Sequence, residues 1–388
     1  MKLAQNLNNL GTESAFSVLA EAKALEAKGH PMIHLGLGQP DFKTPKHVVE
    51  AAKKALDDGH HGYVMSNGIP ECREAVTRWI KKRYDADIDA ERILIMPGGK
   101  PTMSYAIQCF GEPGAEIIHP TPAFPIYESM INYTGSTPVP YDLTEDKDLK
   151  FDPDKILSLI TDKTRLLILI NPNNPTGSFV EKPVIDYFAK ELEKHPHVTI
   201  LSDEIYSRQI FDYKEMPSFF HYEALKDRLI VLEGWSKAYS MTGWRLGWSY
   251  WPKEMVAHVN KLLINSVSCV NAAAQFAGIA ALDGPDDSIN DMLDKFTLRR
   301  NLIHKGLNEL PGIECSLPGG AFYAFPNVKG TGMSGAEFCK KAMHEAGVAI
   351  VPGTAFGKTC QDYVRFSFAA SRDNIQQALE NIGKMLSK

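Results

Sequence analysis

Gly234-Trp235-Ser236-Lys237-Ala238-Tyr239-Ser240-Met241-Thr242-Gly243-Trp244-Arg245-Leu246-Gly247-Trp248 places one lysine among small and aromatic residues and an arginine eight residues further on. The stretch follows Leu229–Leu232, an apolar run that reads as a buried strand. A lysine in apolar surroundings resists protonation, because its charged form loses hydration there. An unprotonated amine is a nucleophile toward carbonyls, and Schiff-base chemistry needs such an amine. The arginine is always charged, and its planar fork suits a phosphate. A ligand carrying both an aldehyde and a phosphate would use both side chains. A surface lysine beside an arginine paired to some carboxylate is the plainer alternative, so the rest of the chain has to decide.

Working outward, strand-like runs fall near Ile93–Met96, Glu116–His119, Thr137–Tyr141, Leu166–Ile170, Val198–Leu201, Leu229–Leu232 and Leu246–Tyr250, with helical patterns between most of them. Such alternation predicts an α/β fold with a seven-stranded, mostly parallel sheet. Ligands of such sheets sit outside the carboxyl ends of the strands. The residues just after each strand are therefore the candidates for chemistry.

After the first strand, Pro97-Gly98-Gly99-Lys100-Pro101-Thr102 opens a helix, where the amides of Gly99 and Lys100 can hold a phosphate. After the second, Phe124 either stacks on a flat ring or fills core. After the fourth, Asn171-Pro172-Asn173-Asn174-Pro175-Thr176-Gly177 is a stiff polar turn with amides free to donate. After the fifth, Ser202-Asp203-Glu204-Ile205-Tyr206 puts a carboxylate at a buried strand end, where it needs a cationic partner such as a protonated pyridine nitrogen. The sixth strand leads into Lys237. Pyridoxal 5'-phosphate has an aldehyde, a phosphate and a pyridine nitrogen, and is the cofactor these strand ends suit together. His34-Leu35-Gly36-Leu37-Gly38-Gln39-Pro40-Asp41 begins like a dinucleotide loop, but Asp41 stands at the third glycine and Pro40 blocks the helix; the glycines mark a turn or a close backbone approach.

These residues resemble the class I pyridoxal-phosphate-dependent aminotransferases of fold type I, in the bacterial aspartate-aminotransferase-like branch. The likeness runs from Gly38-Gln39-Pro40-Asp41-Phe42 to the C-terminal helix and is most specific at Asn174-Pro175-Thr176-Gly177, Ser202–Tyr206 and Ser236-Lys237 through Arg245. It implies that Lys237 carries the cofactor as a Schiff base and that Asp203 partners the ring nitrogen. Asn174 and Tyr206 would donate to the ring's phenolic oxygen, and Phe124 would stack on the ring. Arg245, Gly99, Lys100 and Ser236 would hold the phosphate. Tyr63 would reach the neighbouring subunit's phosphate in a homodimer with shared sites. Gly38, Phe124, Asn174 and Arg365 would contact substrate. Lys100 either binds a distal substrate carboxylate or only supports the phosphate. Three positions depart from the common pattern: Gln39 where glutamate is usual, Phe124 where tryptophan or tyrosine is frequent, and Gly234 where many relatives carry a phosphate-binding serine.

The expected activity is amino transfer between an L-amino acid and a 2-oxo acid by a ping-pong mechanism, with aspartate or glutamate and 2-oxoglutarate as substrates. Aromatic or other neutral amino acids, or a cysteine-sulfur β-lyase reaction, are the alternatives. Past Ala281 the alternation stops: a long helix is expected from near Asp286 to Leu310, then the run Ala321–Phe325, a helix near Gly335 to Ala346, the strands Val348–Val351 and Tyr363–Phe368, and a final helix. The expected organisation is a large cofactor-binding domain over 45–280 and a small α+β domain, from 1–44 and 281–388, closing over the active site.

At 388 residues the chain is long enough for two domains. Its net charge of -5 argues against nucleic-acid binding and against a basic membrane-surface protein. A cofactor-sensing DNA-binding regulator would need a basic domain that the sequence does not offer. Six scattered cysteines without a Cys-x-x-Cys pair fit a reducing compartment. No signal-peptide pattern precedes Asn9, and no His/Cys cluster has metal-ligand spacing, so the expectation is a cytoplasmic, metal-free enzyme.

Overall fold

The computed structural model describes all 388 residues. After the short strand β1 (Ile33–His34), seven strands build the main sheet: β2 (Ile93–Met96), β3 (Glu116–Thr121), β4 (Thr137–Asp142), β5 (Thr164–Ile170), β6 (Thr199–Asp203), β7 (Leu229–Gly234) and β8 (Gly247–Tyr250). Their order is β2-β8-β7-β6-β5-β3-β4. All pairings are parallel except those of β8, which runs antiparallel to both β7 and β2. The sequence-based expectation of seven mostly parallel strands holds. β8 reverses because only the one-turn helix Trp235–Ala238 and a 3-10 turn separate it from β7, too little chain for a helical crossover.

The strands are buried on both faces, as parallel sheets with helices on each side require. Side chains alternate, so Leu94, Met96, Leu166, Ile168, Leu201, Ile230 and Leu232 join one core while Ile93, Ile95, Leu167, Leu169, Ile200, Leu229 and Val231 join the other. The first core continues into the C-terminal third, where Phe296, Phe322, Phe338, Phe366 and Phe368 belong to it.

That third carries β9 (Tyr323–Ala324), β10 (Val348–Ala349), β11 (Val351–Pro352) and β12 (Val364–Ser367). The expected strand Val348–Val351 is two short ones. β10 pairs in parallel with β1, and after Ile350 the chain joins a different sheet of order β11-β12-β9. Within the run Ala321–Phe325 only β9 is extended, and Ala321 takes a left-handed φ of 57°. The helix Ala272–Asp283 runs past Ala281, and the long helix begins at Asp287. Asp41 accepts two hydrogen bonds from Arg299 on that long helix, at 2.6 and 3.0 Å, which fastens the Gly36–Phe42 loop to the C-terminal third.

Candidate active site

One cavity of about 610 Å³ lies beyond the carboxyl ends of β2, β5, β6 and β7. Its wall includes Gly38, Gly99, Lys100, Phe124, Asn174, Asp203, Tyr206, Ser236, Lys237, Arg245 and Arg365, so eleven of the twelve residues picked from the sequence meet there. Tyr63 does not; its side chain is almost fully exposed on the surface.

Lys237 sits in the one-turn helix after β7 and donates from Nζ to the Gly38 carbonyl at 2.6 Å. It has no carboxylate partner. Burial lowers its pKa to about 8, with the Arg365 and Arg245 charges pushing the same way and Asp203 opposing. An amine so placed is available as a nucleophile near neutral pH. Gly38 must be glycine, since a Cβ would lie 2.0 Å from the Tyr323 hydroxyl. The Gly-x-Gly segment thus marks a close approach rather than a nucleotide loop.

Asp203 ends β6 on the same face as Leu201, toward the cavity. Tyr127 donates to its Oδ2 at 2.6 Å and the Ile205 amide to its Oδ1 at 3.2 Å. Burial nevertheless raises its pKa to about 6, against the pull of those donors and of Lys237. A cation at this carboxylate would offset the cost of its burial.

At the other end, Gly98 has a φ of 85°, and the helix Lys100–Phe110 starts immediately after Gly99. Neither the Gly99 nor the Lys100 amide has a partner within the protein. A Cβ on Gly98 would come within 2.2 Å of Arg245 Nη2, and one on Gly247 within 2.8 Å of the Gly98 backbone. Unpaired amides at a helix N-terminus beside an arginine make a cradle for a dianion. Gly234 pairs with Gly247 across β7 and β8, and a Cβ there would sit 2.8 Å from the Gly247 Cα. That contact leaves no room for a side chain at position 234, whereas Ser236 lines the cavity.

Arg365, on β12, donates to Asn174 Oδ1 at 2.9 Å and to the Gly36 carbonyl at 2.7 Å. Its buried Nε has no partner, so the guanidinium retains donor capacity. The bond from Arg365 also leaves the Asn174 amide hydrogens uncommitted. Tyr206 and Tyr323 hydroxyls lie 2.8 Å apart, and the Arg365 guanidinium stacks 4.5 Å over the Tyr323 ring. Phe124 is half-buried in the wall, with Lys100 Nζ 5.5 Å from its ring centroid. Lys100 itself is ion-paired to Glu13.

Sequence reasoning missed Tyr127, Tyr323 and Glu13. Tyr127 and Tyr323 act through partners 76 and 117 residues away, and no local spacing signals such a contact.

The model for aminotransferases of class I and II covers residues 30–382. The chain belongs to that family. It is a transaminase. It is similar to an aspartate aminotransferase from Pyrococcus horikoshii, 37% identical over 93% of this chain and 92% of that one. The crystal structure of aspartate aminotransferase from Rhizobium meliloti superposes with a TM-score of 0.95 at 30% identity, covering 100% of this chain and 99% of that one. An alanine aminotransferase structure from Pyrococcus furiosus reaches 0.93 at 32% identity, with 100% of both chains covered. This aminotransferase has no group of three or more side chains that could hold a metal ion and no helix long and apolar enough to cross a membrane.

Proposed function

We propose that this aminotransferase uses pyridoxal 5'-phosphate to move the amino group of aspartate or glutamate to a 2-oxo acid such as 2-oxoglutarate, in a ping-pong cycle. The observation that carries the reading is the Lys237 amine, buried, free of any carboxylate and set between the Gly98–Lys100 cradle and Asp203. The cavity fits the cofactor: the cradle and Arg245 would hold its phosphate, Phe124 its ring face, Asn174 and Tyr206 its phenolic oxygen, and Asp203 its ring nitrogen. When bound, pyridoxal phosphate supplies an aldehyde for the substrate amine and a ring that makes the substrate Cα–H acidic.

The chain's own residues do the rest. Asp203 keeps a proton at the ring nitrogen by offering the only carboxylate in that part of the cavity. Lys237 Nζ would take the proton from the substrate Cα as general base and, as general acid, give it to the carbon that was the cofactor's aldehyde. Arg365 grips the α-carboxylate through its spare donors and so orients the Cα–H bond toward Lys237. Tyr323 and Phe356 line the cavity with their rings against the Arg365 guanidinium, where a bound substrate would displace water.

Aspartate and glutamate are favoured because Lys100 offers a cation in the wall of the cavity and because the relatives named above include aspartate aminotransferases. We further propose that 45–280 form the cofactor-binding body and that 1–44 with 281–388 close over it. The enzyme would be a cytoplasmic homodimer, with Tyr63 reaching the partner's phosphate. The test is amino transfer to 2-oxoglutarate or pyruvate from aspartate, glutamate, alanine and phenylalanine, with cysteine assayed for release of pyruvate and ammonia. Transfer from aspartate or glutamate at the highest kcat/KM supports the reading. Faster transfer from neutral donors alone, or β-elimination without transfer, contradicts it.

A further inference from the structure

Six charged side chains line the cavity, and four of them face groups that the reaction uses: Lys237, Asp203, Arg245 and Arg365. The remaining two, Glu13 and Lys100, are paired with each other. Lys100 Nζ lies over the Phe124 ring, on the wall that a substrate side chain would pass. Phe16, Leu37 and Phe356 complete that wall with apolar surface.

Glu13 does not belong to the sheet. It precedes the helix Ser14–Glu26 and ends an N-terminal strap fastened by two hydrogen bonds, Gly11 N to Ser129 Oγ at 2.8 Å and Asn9 Nδ2 to the Asn132 carbonyl at 3.3 Å. Its side chain is 19% exposed, so it reaches water at one edge while its carboxylate meets Lys100. Lys100 is the first residue of the helix that forms the cradle, and its side chain is 45% exposed.

We propose that Glu13 is a built-in counter-ion for Lys100 that lets this one cavity accept both neutral and dicarboxylic substrates. This rests on the aminotransferase reading above. A neutral side chain then meets a wall whose cation is already compensated, which avoids leaving Lys100 unpaired as water is excluded. A dicarboxylic acid places its distal carboxylate on Lys100, and Glu13 swings out toward water. Glu13 thereby sets the ratio of the two substrate classes.

The test uses calorimetry on the cofactor-loaded enzyme with two unreactive ligands, succinate and 4-methylvalerate, alongside kcat/KM for glutamate and leucine. In E13Q, succinate should bind about twofold to fivefold tighter, in keeping with a partly exposed charge pair, and 4-methylvalerate no tighter than before. The glutamate-to-leucine ratio of kcat/KM should rise by a similar factor. In K100Q the E13Q substitution should change neither affinity, because the two act as a pair. An unchanged succinate affinity in E13Q, an equal gain for both ligands, or a persisting gain in the K100Q background would overturn the proposal. Absence of amino transfer by the unmodified enzyme would overturn the functional reading instead, so the two failures are separable.

Discussion

Asp203 must be charged to hold a cation at the ring nitrogen, yet its burial favours the neutral carboxyl and raises its pKa to about 6. The Tyr127 hydroxyl, 2.6 Å away, counters that pull. Hydrogen bonds to charged groups are worth about 1.5–3 kcal/mol, so Tyr127→Phe should lower kcat about tenfold or more and weaken cofactor binding. The KM for the amino acid should stay nearly constant, because Tyr127 lies behind Asp203 and outside the cavity wall. Steady-state kinetics with a cofactor titration would check this split. Asp203 itself was legible, since a carboxylate directly after a buried strand demands a partner. Lys237 was legible for the converse reason, as a cation following a buried strand. Tyr127 was not, because its role depends on which helix face meets the end of β6. The pairing of Lys100 with Glu13 was equally hidden, for it joins residues 87 apart.

Each strand carries chemistry on one face and structure on the other. Asp203 and Leu232 line the cavity, while the neighbouring Glu204 and Glu233 are buried away from it. Ser202 donates to Glu204, and Ser207 and the Gly234 amide donate to Glu233. Burial still dominates and raises the two carboxyls to about 7 and about 8. A folded pKa above the unfolded value of 4.5 means that the unfolded chain releases protons first as pH rises. The contribution to stability is therefore full below about pH 4.5 and is lost by about pH 8. Glu233→Gln removes that ionisation. It should raise Tm at pH 8 by an amount worth about 1–3 kcal/mol, with the gain shrinking toward pH 5. Thermal melts across that range would show it, and a gain independent of pH would contradict it. At this scale the sequence yielded all seven sheet strands, because two-sided burial makes them short apolar runs. The split of Val348–Val351 into β10 and β11 was not legible. Both pieces are equally apolar, and only their pairing with β1 and β12 separates them.

Across the whole molecule, the N-terminal segment and the C-terminal third are tied together by β1 with β10 and by Asp41 with Arg299, and together they supply Gly38, Tyr323 and Arg365 to the cavity. Gly99, Lys100, Asn174, Asp203, Tyr206 and Lys237 come from the ends of the sheet strands and the segments that follow them, so both parts of the molecule are needed to complete the site. The exposed Tyr63 stands apart from this arrangement. If it completes the partner's phosphate site, Tyr63→Phe should raise the cofactor Kd several-fold without changing the dimer measured by sedimentation. An unchanged Kd would remove Tyr63 from the shared site. The likeness to known families supplied this expectation, since nothing in the local sequence distinguishes Tyr63 from a surface tyrosine.

The central claim is that Lys237 is the residue that bonds to the cofactor, and borohydride reduction of the cofactor-loaded enzyme followed by peptide mass mapping tests it most directly. Reduction fixes the carbon–nitrogen bond between cofactor and lysine, so the account predicts a phosphopyridoxyl group on the peptide containing Lys237 and on no other. Label on a peptide carrying Lys100 or another lysine, or no label at all, would contradict it.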